Sequence, residues 1–177
     1  MLFFKKLHIL AKECFKKRSL IRTLHNIYLS EISFEGRGID FGAKNALGPY
    51  YEFLNLDNSK MTYVDITANS SSEIRAIDLE KDFDIDEEKY DFAFLMNVLE
   101  HIYNYKILLI NINKSLKNGG HLEGFVPFLY QYHADSDDFF RYTHTGLARI
   151  LEDSGFVNIK VTKIGVGMFV TIASMSS

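Results

Sequence analysis

Of its 177 residues only one is cysteine, Cys14, and two are proline. A lone cysteine excludes an internal disulfide framework and a cysteine-based zinc cluster. No apolar run reaches the roughly 18 to 20 residues that a membrane-spanning helix needs. The opening Met1-Leu2-Phe3-Phe4-Lys5-Lys6 has neither a long apolar stretch nor a small-residue cleavage site, so it does not read as a signal peptide. Cytoplasmic residence is the expectation. Internal repeats and low-complexity stretches are absent from the sequence.

What is there suits one globular domain. A 47% hydrophobic and 24% charged composition is ordinary for a folded chain of this length. The net charge of −3 hides an asymmetry. Residues 1–30 hold Lys5, Lys6, Lys12, Lys16, Lys17, Arg18 and Arg22 against a single acid, Glu13, and the remainder is acidic. A basic end on an acidic body predicts a surface that meets something anionic, an acidic partner or the inner face of a membrane as a peripheral contact.

Periodicity divides the chain in two. Phe3, Leu7, Leu10, Cys14, Ile21, Leu24 and Tyr28 recur at helical spacing, which predicts a helix over 3–28, weakened at Lys17-Arg18 where it can break into two. This basic helical segment occupies 1–33, and 34–177 reads as an α/β domain. There, strand patterns at 37–41, 61–66, 74–78, 90–96, 120–126 and 157–164 alternate with helical ones at 48–55, 103–117 and 144–154. The 90–96 run is almost continuously apolar, as a central strand covered on both faces must be. Pro49 suits a first helical turn, Asn118-Gly119-Gly120 a helix end, and Thr143 an N-cap. Strand–helix–strand repetition predicts a doubly wound, mostly parallel sheet. A last edge strand at 168–174 would be short, giving an abbreviated C-terminal edge.

In such a sheet, ligands bind beyond the carboxyl ends of the strands. The first ends at Asp40-Phe41-Gly42, where glycine permits a tight turn and close backbone approach. The second ends at Asp65, 25 positions beyond Asp40, near the interval at which an acid reaches ribose hydroxyls in nucleotide-binding units. Asp78 and Asn97 end the third and fourth. Beyond them come Glu100-His101 and the loop from Pro127 through His133 to Arg141-Tyr142-Thr143.

These residues carry a resemblance. Tyr90-Asp91 leading to Leu99-Glu100-His101-Ile102, then Leu116-Lys117-Asn118-Gly119-Gly120, the Pro127-Phe128 to Arg141-Tyr142-Thr143 loop and Gly155-Phe156 resemble, in order and spacing, the class I S-adenosylmethionine-dependent methyltransferases, especially small ones that modify bacterial surface glycans. The resemblance spans about residues 36–165. It implies a Rossmann-like fold, S-adenosylmethionine as cofactor, and a small-molecule or glycan substrate. It implies cofactor binding by Asp40, Gly42 and Lys44 at the methionyl end, Asp65 at the ribose, Asp78 beside the adenine and Asn97 lining the pocket. One departure stands out: the family's Asp-x-Gly-x-Gly-x-Gly loop here has Lys44 and Ala46 at its second and third glycines.

On the acceptor side an imidazole titrating near neutrality is the usual base, with His133 first and His101 second. Arg141 would fix the loop or an anionic substrate group. Each residue also has a plainer use. Asp40, Asp65 and Asp78 can cap turns, and Glu100 and His101 can be solvated first-turn residues. His133 with Asp135, Asp137 and Asp138 has metal-competent chemistry, but an acidic surface loop is the reading adopted, with no metal expected. Aromatic residues of that loop can stack on a sugar ring. A nicotinamide reductase would need the Gly-x-Gly-x-x-Gly loop and Tyr-x-x-x-Lys pair that are missing, and an acidic body argues against nucleic acid. The stronger alternative is a catalytically silent methyltransferase-like interaction subunit.

Overall fold

The computed structural model describes residues 2–16, 18–43, 48–66, 74–83, 85, 89–134 and 137–164, without the side chains of Leu2, Phe3 and Lys5. Two helices, α1 (Leu2–Phe15) and α2 (Leu20–Leu29), precede β1 (Ser33–Phe41). A 3-10 turn at Pro49–Phe53 leads into β2 (Asn55–Asp65), followed by β3 (Ile74–Ala76) and β4 (Tyr90–Met96). A second 3-10 turn at Leu99–His101, α3 (Tyr105–Ser115), β5 (Leu116–Phe125) and α4 (His144–Asp153) complete the described elements. The five strands lie in the order β3-β2-β1-β4-β5, every pairing parallel. That is the doubly wound sheet the alternating pattern predicts, with β1 and β4 at its centre.

Strand alternation gives the sheet its two covered faces. Ile39 and Phe41 of β1 join Val64, Ala93 and Leu95 beneath Leu108, Leu109 and Ile112 of α3. On the other face Phe34 meets Phe92, Phe94 and Met96 of β4 and Leu29 of α2. Both faces of β4 are therefore buried, which is why its sequence is apolar without alternation. At the β5 side of this face His25 of α2 stacks on Phe125 at a centroid distance of 4.3 Å. Burial, reinforced by Arg22, pushes the His25 pKa down to about 4.

Several boundaries differ from the expected ones. The single helix over 3–28 is two, because Ser19 caps α2 by accepting from Arg22 N–H at 3.3 Å. The buried positions of α1 are Ile9 and Glu13, not the Leu7–Cys14 stripe, whose Leu7 and Cys14 are exposed. Glu13 is buried because its carboxylate accepts from Asn26 Nδ2 of α2 at 2.8 Å, a polar contact that apolar periodicity cannot register. The helix expected at 48–55 is only the 3-10 turn. Asn118-Gly119-Gly120 does not end a helix but lies inside β5: Leu116 is already extended and pairs with Tyr90, and Lys117 Nζ binds Asp91 Oδ1 at 2.8 Å. Residues 157–164 form no strand. The strand expected at 168–174 lies outside the described residues.

Candidate functional site

Parallel pairing brings the first group of predicted residues to one rim. Asp40 pairs with Tyr63 and Phe94, so the carboxyl ends of β1, β2 and β4 lie side by side. Asp40 is 1% exposed, on the sheet face that the 3-10 turn at 49–53 crosses. Its Oδ2 accepts from Tyr50 at 2.6 Å and Tyr51 at 2.7 Å. Its Oδ1 is buried and has no hydrogen-bond partner among the described residues. Burial pushes the carboxyl up to about 6 against the pull of the two hydroxyls. Gly42 has φ +85°, and a Cβ there would stand 2.4 Å from Val98 Cγ2. Its N–H and that of Ala43 both donate to Val64 O, turning the chain sharply off β1.

Asp65 is a buried residue at the end of β2. Asn97 follows β4 with φ 55° and an exposed side chain, its N–H donating to Phe125 O. Asp78 is engaged locally: Oδ1 accepts from Glu80 N–H at 3.0 Å, and Oδ2 pairs with Lys81 at 2.8 Å. This is the turn-capping use of aspartate, and those contacts hold its carboxyl below the usual range. Lys44 lies outside the described residues.

A second cluster forms where His133 and residues 137–142 meet the turn after β4. Phe139 and Phe140 N–H groups donate to Glu100 O, and the Tyr142 hydroxyl donates to Leu99 O. The imidazoles of His101 and His133 meet edge to face, with centroids 5.0 Å apart. His101 Nδ1 lies 2.5 Å from Asp137 O, an acceptor only, so this nitrogen is the donor and Nε2 is turned toward Glu100 Oε1, 3.8 Å away.

Arg141 uses all five N–H donors inside the loop. Nε binds Tyr130 O, Nη1 binds Phe140 O and Asp138 Oδ1, and Nη2 binds Gln131 O and Asp138 Oδ2. None remains for an anionic substrate, so of its two expected uses the loop-fixing one is what the geometry gives. Arg141 holds the buried Asp138 carboxyl well below the usual range.

Three contributors went unpredicted. Tyr50 and Tyr51 sit on the turn that Pro49 announces, a signal available in the sequence. Glu100, for which a solvated first-turn position was one reading, is fully buried. Neither carboxylate oxygen finds a hydrogen-bond partner among the described residues, and burial pushes its pKa up to about 7. Its position just past the most apolar strand was the available clue.

Comparison with known proteins bears on this arrangement. The methyltransferase domain model matches residues 8–161. The chain therefore belongs to the methyltransferase domain family. No curated protein matches it. Among solved structures it is similar to the Burkholderia thailandensis 1,6-didemethyltoxoflavin-N1-methyltransferase, at 16% identity and TM-score 0.62, over 98% of this chain and 81% of that one. It is similar to a Haloferax volcanii complex of the Trm112 methyltransferase activator with a putative methyltransferase, at 15% identity and TM-score 0.59, covering 84% and 73%. A Haemonchus contortus phosphoethanolamine N-methyltransferase 2, solved with S-adenosyl-L-methionine, matches at 15% identity and TM-score 0.58, over 77% of this chain but 37% of its own length. At these identities the likeness is one of fold.

Proposed function

We propose that this methyltransferase carries the methyl group of S-adenosylmethionine to an oxygen or nitrogen of a small molecule, a sugar or glycan precursor. The observation that carries the cofactor assignment is Asp40. Its buried Oδ1, without a partner among the described residues, suits an ammonium group, and S-adenosylmethionine has one at its methionyl end. Asp65, one strand away, would accept from the ribose hydroxyls, and Gly42 lets the backbone turn beneath the ligand. When bound, the cofactor supplies an electrophilic sulfonium methyl.

The chain's own task is then positioning in a water-poor cleft. The 133–142 loop, fixed by Arg141 and Asp138, sets the acceptor side. His101 and His133 stand together at its edge. A sugar as acceptor draws support from the loop's exposed rings, Phe128, Tyr132 and Phe139, on which a pyranose face can stack. Two of the similar structures are N-methyltransferases, of 1,6-didemethyltoxoflavin and of phosphoethanolamine, so a nitrogen acceptor belongs in the same screen.

Calorimetry with S-adenosylmethionine and S-adenosylhomocysteine on the full chain tests the cofactor. Both should bind, and Asp65→Ala should weaken binding by about 1.5–3 kcal/mol, the range for a hydrogen bond to a charged group. No heat from either ligand, or an unchanged Asp65→Ala affinity, overturns the assignment. Methyl-labelled cofactor with nucleotide sugars, lipid-linked saccharides and small amines then identifies the acceptor. Labelling of amines alone removes the glycan half.

A further inference from the structure

We infer that Glu100, His101 and His133 form a binding site for a divalent transition-metal ion of the zinc or iron(II) type. One ring nitrogen from each histidine and one Glu100 oxygen all lie within 4.8 Å of one another. His101 Nε2 is 3.8 Å from Glu100 Oε1. Two ligands on a tetrahedral zinc stand roughly 3.4 Å apart, so a small contraction of the cluster closes it on an ion.

The independent observation is the state of Glu100. Its carboxylate is wholly buried, and neither oxygen has a hydrogen-bond partner among the described residues. A buried carboxylate calls for a cation or donors. The guanidinium nearby acts on it only through space and gives it no hydrogen bond, because Asp138 and three carbonyls occupy every N–H of Arg141. Both imidazoles are also braced as ligands are. His101 Nδ1–H faces the Asp137 carbonyl, which leaves Nε2 for the ion, and His133 Nδ1 lies between the Asp138 carboxylate at 3.4 Å and Arg141 Nη2 at 3.5 Å. Histidines that bind metals are oriented in this way through their other nitrogen.

The donor set selects the class of ion. Two imidazoles and one carboxylate suit zinc, iron(II) or manganese better than calcium or magnesium, which take oxygen ligands. Of the loop acids, Asp138 is held by Arg141, Asp137 meets His101 through its backbone carbonyl, and Asp135 lies outside the described residues. Three protein ligands leave at least one coordination position open. His133 also lines a cavity of about 1540 Å³ that runs past Asn97 and Tyr130 along β5. The ion's binding stands apart from the cofactor assignment.

Metal titration without cofactor tests the site. The full chain, stripped with chelator, is titrated with Co²⁺ by visible absorption and with Zn²⁺ by calorimetry. One equivalent of Co²⁺ should bind with ligand-field bands that Zn²⁺ abolishes. Glu100→Gln and His133→Asn, both near-isosteric and checked for a native circular dichroism spectrum, should each weaken Zn²⁺ at least tenfold. His8→Ala and Cys14→Ser, outside the cluster, should leave it unchanged. Wild-type affinity in both cluster variants, sensitivity to His8 or Cys14 instead, or no stoichiometric binding by the folded chain overturns the proposal.

Discussion

Asp138 and Glu100 are buried carboxylates on opposite sides of one loop contact, and the protein treats them in opposite ways. Asp138 has a bidentate guanidinium and the His133 N–H, and its carboxyl sits far below the usual range. Neither oxygen of Glu100 has a hydrogen-bond partner among the described residues, His101 Nε2 standing 3.8 Å from Oε1, and burial holds its carboxyl well above the usual range. Asp40 lies between them, with one oxygen taken by two tyrosines and the other open. The contrast separates polar groups that build the site from those left for a ligand. Of the two uses the sequence offers Arg141, the structure gives the one that fixes the loop.

The sharpest way to break this comparison is Arg141→Ala. It strands the Asp138 charge and frees three carbonyls, so stability should fall by about 2–4 kcal/mol, the scale for removing one partner of a buried pair. Urea denaturation measures it, and limited proteolysis should show the 130–142 loop opening first. If stability holds and only turnover falls, Arg141 touches substrate and its placement among the builders is wrong.

Asp40 sharpens the comparison through pH. Its folded pKa is raised from 3.8 to about 6, so the folded state favours the protonated form. Its contribution to stability is therefore full below 3.8 and is lost as pH rises through about 6. Asp40→Asn keeps an acceptor for the tyrosines and removes the ionisation. At pH 7.5 the ligand-free variant should be more stable than wild type by up to about 3 kcal/mol, with the gap closing near pH 4. Cofactor affinity should move the other way, with wild type losing it as pH falls through about 6 and the variant weak throughout. A stability gap independent of pH removes Asp40 as the titrating group.

The architecture was legible where burial dictated sequence. β4 matches 90–96 because both of its faces are covered, and α4 begins where Thr143 caps it, its Oγ1 accepting from Gly146 N–H. The first half of β2, residues 55–60, was hidden because all but Leu56 are polar and pair with β1 without an alternating apolar pattern. β5 was masked at its start by glycines that normally end helices. The alternation at 157–164 has no strand beside it among the described residues. At the site, the rim positions of Asp40, Gly42, Asp65 and Asn97 followed from strand ends alone. Which carboxylate would be paired did not, because that depends on contacts between residues as far apart as Glu100 and Phe140.

The smallest expected effect concerns α1 as a peripheral contact with an anionic membrane. Phe4, Leu7 and Phe15 are exposed, and at 3.6 residues per turn they lie away from the buried Ile9, so helix packing and an outward apolar patch occupy different faces. The charge is less available than the sequence count implies. Lys6 pairs with Glu31 at 2.5 Å, and Lys12 and Lys16 both reach Glu52, at 2.9 and 3.3 Å. Exposed pairs of this kind are worth only about 0–1 kcal/mol and weaken with salt, yet they turn three lysines toward the body. Co-sedimentation with phosphatidylserine vesicles should thus be weak at low salt and absent at high salt. Glu52→Gln releases two lysines, each worth about 1 kcal/mol near an anionic surface, and should raise vesicle binding several-fold. Equal recovery in the supernatant with neutral and anionic vesicles, for wild type and Glu52→Gln alike, would leave the exposed phenylalanines without a membrane role.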